Sequence, residues 1–129
     1  MFCRIDHVEI VPSDLERSIR FYSEVLGFRL KTRHPAGQPP LREVAYLTLG
    51  DTMLELLGVD APAAVSDEAW QVGSRGLALE VEDMGAALAF LGERGITPSW
   101  GPVDLGASSR AEIRDPDGLM VELRHWKSG

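Results

Sequence analysis

Apolar and polar residues alternate in two rhythms along this chain, and the order of those rhythms occurs twice. From Ile5 to Val11 the spacing is that of a strand, with Val8 and Ile10 alternating with His7, Glu9 and Val11. Ser13 then stands at an N-cap position with Glu16 three residues on, the spacing of a capping box. Leu15, Ile19, Tyr22 and Leu26 follow at helical intervals, and Gly27 stands where a glycine ends such a helix. Strand-like runs are predicted at Phe28–Thr32, Glu43–Leu49 and Met53–Leu57. Farther on, Leu77–Val81 reads as a strand and Met84, Ala87, Leu88 and Leu91 as the apolar face of a helix that Gly95 closes. Strands are expected near Ile96–Trp100, Arg110–Arg114 and Leu119–Arg124, with "DPDG" (Asp115 to Gly118) as a tight turn between the last two.

The second series is a copy of the first. With His7 aligned to Gly76, Val8 meets Leu77, Ile10 meets Leu79, Asp14 meets Asp83 and Phe21 meets Phe90, without a gap. At the other end "GDTMLELL" (Gly50 to Leu57) lies over "DGLMVELR" (Asp117 to Arg124), so that Met53 meets Met120 and Glu55 meets Glu122. A repeat of this kind sets the architecture. The expected fold is α+β: two tandem βαβββ modules, about residues 1–58 and 74–127, in one domain of 129 residues. Residues 59–73, small, polar and proline-containing, form the linker.

Strand parity separates the two faces of each predicted sheet. If Leu54, Leu56, Val121 and Leu123 face the helices, then Met53, Glu55, Met120, Glu122 and Arg124 face the other way. His7 and Glu9 share that opposite face on the first strand, as do Gly76, Ala78 and Glu80 on its copy, and Arg110 and Glu112 near the end. A lone glutamate there is ordinarily part of a solvated strand face. A glutamate repeated at the same structural place, with a histidine on the same face, points to a site.

The totals narrow the partners. The formal net charge of −7 argues against nucleic acid, which calls for a basic surface. No apolar run approaches a membrane span, the first residues lack the apolar core of a signal peptide, and the single cysteine, Cys3, suits a reducing cytoplasm. No base is assigned to Cys3, so it is not read as catalytic.

"DHVEIVPSDLERSIRFYSEVLGF" (Asp6 to Phe28) and "RDPDGLMVEL" (Arg114 to Leu123), with the βαβββ repeat, resemble the vicinal oxygen chelate superfamily of glyoxalase I, bleomycin resistance proteins and extradiol dioxygenases. The resemblance implies a cup-shaped mixed sheet with helices outside, and modules paired within a chain or in a homodimer. In glyoxalase-like members a first-strand residue and a last-strand glutamate from each module hold a divalent metal. Those positions here are His7, Glu55, Gly76 and Glu122, and the glycine has no side chain to offer.

His7, Glu55 and Glu122 would leave an open coordination position, as catalytic sites do, for Zn, Ni, Co, Fe or Mn. Glu80 and His34 are weaker candidates for the missing post; His34 lies in "RHPAGQPPLR" (33–42), read as a loop able to fold over the cup as a lid. His125 points by parity to the other face.

The activity implied is a lyase or isomerase acting on a small oxygenated substrate through an enediolate-type intermediate, with Glu122 as the base. Arg110, Met53, Glu80, Trp100 and Met120 would line the substrate pocket, and Trp100 and Trp126 equally suit a core or a dimer interface. Two other readings stand beside it: a metal-free small-molecule binder like the bleomycin resistance proteins, and an extradiol dioxygenase. One histidine and two carboxylates differ from the two-histidine, one-carboxylate set of non-heme iron oxygenases, which places the dioxygenase last.

Overall fold

A computed structural model describes residues 1–128. The chain divides into two compact units, the first Met1–Val65 and the second beginning at Ser66. Each holds a four-stranded mixed sheet and one helical segment, the α+β repeat expected.

The first unit runs β1 (Val8–Ile10), α1 (Leu15–Arg20), a π-helical turn (Phe21–Val25), β2 (Arg29–Gln38), β3 (Leu41–Leu49) and β4 (Thr52–Val59). Its strand order is β1-β4-β3-β2, with β1 parallel to β4 and the other pairs antiparallel. The second runs β5 (Gly76–Glu80), α2 (Met84–Gly92), β6 (Trp100–Asp104), β7 (Ser108–Arg114) and β8 (Met120–Trp126). Its order, β5-β8-β7-β6, repeats the first in pattern and in strand direction. The strands bearing the two repeated glutamates, β4 and β8, are therefore interior strands.

Parity separates the faces as expected. Leu54, Leu56, Val121 and Leu123 are buried, as are Ala45 and Leu47 on β3 and Ala111 and Ile113 on β7. Each fully buried aliphatic side chain contributes roughly 1.5–3 kcal/mol. Leu15 of α1 lies so close to Gly58 of β4 that an added Cβ would stand 2.9 Å from its Cδ2. The helical segment turns back through Gly27, whose φ of +82° suits glycine. Phe28 N–H then donates to Tyr22 C=O, and the rings of Phe21, Tyr22 and Phe28 meet edge to face.

Four details differ from expectation. The N-cap of α1 is Asp14 rather than Ser13: its carboxylate accepts from Arg17 N–H at 3.0 Å, while Glu16 is drawn to Arg33 instead of closing a capping box. β1 keeps three residues of the predicted Ile5–Val11, since as an edge strand it pairs only where β4 meets it. Residues 33–42 are not a lid. β2 continues to Gln38 through His34↔Val44 and Pro35↔Glu43 and turns at 39–40 into β3; as an edge strand it tolerates Pro35. Finally, the strand expected at Ile96–Trp100 begins only at Trp100, because Ile96 N–H is used by Leu91 C=O to close the end of α2.

Asp14 and Asp83 occupy the same place in the repeat, and Asp83 likewise accepts from Ala86 N–H at 2.7 Å. Asp14→Ala and Asp83→Ala should each lower stability by about 0.5–2 kcal/mol, read from the midpoint of chemical denaturation. Among the described residues no helix is long and apolar enough to cross a membrane.

Candidate functional site

Register builds the first unit's site. β1 and β4 run parallel with Glu9 opposite Glu55, and β3 runs antiparallel with Tyr46 opposite the same glutamate. Paired residues share a face, so three side chains from three strands meet on the face turned away from α1. His7, just ahead of β1, joins them. Its Nε2 lies 3.2 Å from Glu55 Oε1 and 3.3 Å from Glu9 Oε2, and its Nδ1 lies 2.8 Å from Asp6 Oδ2. One donor atom each from His7, Glu9 and Glu55 falls within 4.8 Å of the other two. A cavity of about 340 Å³ opens beside His7, lined by Asp6, His7, Lys31, Thr32, Tyr46 and Met53.

Glu55 is 7% exposed, and a carboxylate that buried calls for compensation. It accepts a hydrogen bond from the Tyr46 hydroxyl, which holds the phenol above its ordinary pKa. The Tyr46 ring meets the imidazole of His7 edge-on at 5.9 Å and that of His34 at a tilt of 37°, also at 5.9 Å. The hydrogen bond to Asp6 raises the pKa of His7 above its ordinary value; partial burial opposes this, and Glu9 and Glu55 reinforce it.

The donor set fits a divalent ion. Imidazole and carboxylate oxygens are suitable ligands, two carboxylates neutralise the double charge, and Asp6 fixes the ring as outer-shell carboxylates do for ligating histidines. His7 and Glu55 are thus brought together as expected. Glu9 and Tyr46 were missed as members of the cluster, although Glu9 has the same parity as His7.

In the second unit the same positions carry different chemistry. Ala78 faces Glu122 where Glu9 faces Glu55, and Glu112 takes the place of Tyr46. Both oxygens of Glu122 are held by arginines: Oε1 by Arg110 at 2.8 Å and Oε2 by Arg124 at 2.9 Å. Arg110 also binds the buried Glu112 at 2.6 Å. The guanidinium of Arg110 stacks on Trp100 and that of Arg124 on Trp126, at 4.8 and 5.3 Å from the ring centroids. Met120 is buried, Glu80 is exposed opposite Arg124, and His125 Nδ1 lies 3.2 Å from Val81 C=O.

Gly76 has its own reason to be glycine. A Cβ built there would lie 2.3 Å from the carbonyl oxygen of Met120, its register partner on β8. No side chain fits without moving the strands apart.

Residues 4–123 match the Glyoxalase/Bleomycin resistance protein/Dioxygenase superfamily. The chain belongs to this superfamily. Within it, the chain is 30% identical to the human mitochondrial methylmalonyl-CoA epimerase over 128 residues, covering 93% of this chain and 72% of the epimerase. It is 32% identical over 133 residues to the lactoylglutathione lyase of Neisseria meningitidis serogroup A, covering 98% and 93% of the two chains. Among solved structures, TnmS3, an antibiotic binding protein from Streptomyces sp. CB03234, superposes with a TM-score of 0.79 at 26% identity, over 98% of each chain. Superfamily membership brings small-molecule ligands into view, and its glyoxalase-like arrangement agrees with the duplicated sheets.

Two measurements check this geometry. In metal-free protein the His7 ring should titrate above its ordinary value of 6.5, and Asp6→Asn should bring the midpoint down, as followed by NMR. The folded chain holds that proton more tightly than the unfolded chain. The resulting stabilisation is therefore full below about pH 6.5 and lost as pH rises through the raised value. Gly76→Ala should cost about 1–3 kcal/mol in denaturation, since the added methyl meets backbone.

Proposed function

We propose that the protein is a divalent-metal-dependent lyase or isomerase that moves a proton on a carbon next to a carbonyl of a small oxygenated substrate. The observation that carries this reading is the convergence of His7 and Glu55 beside a cavity, with Nε2 of the imidazole turned toward the carboxylates. A bound divalent ion supplies Lewis-acid chemistry: it polarises the carbonyl and supports the negative charge that follows loss of the neighbouring proton.

The chain's own residues do the rest. Asp6 and Tyr46 orient His7 and Glu55. Glu122, from a second module of the same chain or of another copy, serves with them in the ligand set and as the base that takes and returns the proton. To act, it must exchange one of its arginines for the substrate; Arg110 and Arg124 then have a carboxylate-binding edge to offer an acidic ligand. Met53, Trp100, Met120 and Glu80 are the remaining candidates for the pocket wall. The two relatives support the class: epimerisation of methylmalonyl-CoA requires loss and return of a proton at one carbon, and both relatives' names specify acyl thioesters. The protein is further taken as a cytoplasmic homodimer, on the single cysteine and the family resemblance.

A second reading, metal-free sequestration of a small molecule, is favoured by the two arginine–tryptophan stacks and by the likeness to TnmS3.

Protein purified without added metal should carry a stoichiometric divalent ion that His7→Ala loses. It should exchange the substrate's acidic C–H with solvent deuterium, using methylmalonyl-CoA and lactoylglutathione as probes and NMR as readout. Glu122→Gln should slow exchange by about 10²–10⁴-fold. Absence of metal and of exchange, with tight binding of an organic cation, would instead establish the sequestering reading.

A further inference from the structure

We infer that Glu9 is a further protein ligand of the metal site, so that the first module supplies three ligands, His7, Glu9 and Glu55. The inference rests on the metal-dependent reading and goes beyond it: neither the repeat nor the family pattern assigns a ligand at this position.

Distance is the first argument. Two donors each about 2.0–2.1 Å from a tetrahedral ion stand about 3.3 Å apart. His7 Nε2 lies 3.3 Å from Glu9 Oε2 and 3.2 Å from Glu55 Oε1, so the imidazole has ligand-to-ligand spacing to both carboxylates. The second argument is the direction of the ring. Nδ1 is taken by Asp6 at 2.8 Å, which leaves Nε2 as the atom aimed at the carboxylates. A single N–H at Nε2 points well at one acceptor, not at two on different strands. One cation among the three atoms satisfies them all, and two carboxylates balance its charge.

The third argument comes from the duplicate. In the second module the posts of His7 and Glu9 are empty together, as Gly76 and Ala78. There the remaining glutamate, Glu122, is neutralised by Arg110 and Arg124. In the first module, among the described residues, no arginine is paired with Glu55, and its compensation comes from the Tyr46 hydroxyl, the imidazole and whatever that imidazole helps to hold. The histidine and Glu9 are thus features of one module only, adjacent on one face, and the histidine lines a cavity with room for a ligand. The open side of such a set would be where substrate enters.

Metal-stripped protein titrated with Zn²⁺ by calorimetry, and with Co²⁺ by visible absorption, tests the assignment. Wild type should take up one ion per chain. Glu9→Gln should bind at least tenfold more weakly, as Glu55→Gln should, whereas removing an exposed carboxylate elsewhere, Glu24→Gln, should leave affinity unchanged. Glu9 is exposed, so its variants should fold, which circular dichroism checks. Glu9→His should retain binding and shift the Co²⁺ spectrum, because nitrogen replaces oxygen around the ion. If wild type binds but Glu9→Gln binds equally well, or Glu9→His leaves the spectrum unmoved, Glu9 is not a ligand and the metal-dependent reading survives without it. If wild type takes up neither ion, that reading falls and this one with it.

Discussion

Glu55 puts a carboxylate on an interior strand at 7% exposure, and the first unit is arranged around the need to meet it. An uncompensated charge at that depth costs several kcal/mol, so its neighbours are constrained in kind and position. Parallel pairing brings Glu9 to one side and antiparallel pairing brings Tyr46 to the other. His7 closes the group from just beyond the end of β1, itself held by Asp6. The buried aliphatic residues of β3 and β4 fix the strands in register, and the register fixes the chemistry. A slip of one residue would turn Glu55 into the core and Leu54 or Leu56 out of it.

The second unit answers the same demand in another way. Glu122 occupies the place of Glu55, yet arginines on β7 and β8 meet it, and Glu112 joins them where the first unit has a tyrosine. The two halves share backbone pattern and core while the faces turned away from the helices differ: one gathers carboxylates about an imidazole, the other alternates guanidinium, carboxylate and indole.

Much of this was legible in the sequence because strand parity and duplication are both properties of spacing. The alignment of His7 with Gly76 and of Glu55 with Glu122 required only that the copies keep register, and Leu54, Leu56, Val121 and Leu123 marked the core face without reference to any partner. What escaped was decided by contacts across the fold. Glu16 has capping-box spacing but is taken by Arg33, which also binds Glu43. Ile96 has strand character but spends its N–H on α2. The prolines at 35, 39 and 40 suggested a loop, yet the edge strand β2 leaves room for Pro35, and Pro39 and Pro40 form only the turn into β3. Glu9 shared the parity of His7, but only the parallel pairing of β1 with β4 shows that it stands beside Glu55.

The close approach of β5 to β8 limits what residue 76 can be. With the backbone of residue 76 set against the carbonyl of Met120, every replacement with a side chain is a steric collision. Installing a histidine at that position would require the two strands to part first, and a change at residue 76 alone does not accomplish that. The first-strand post of this half therefore stays bare for as long as β5 and β8 remain paired at this spacing.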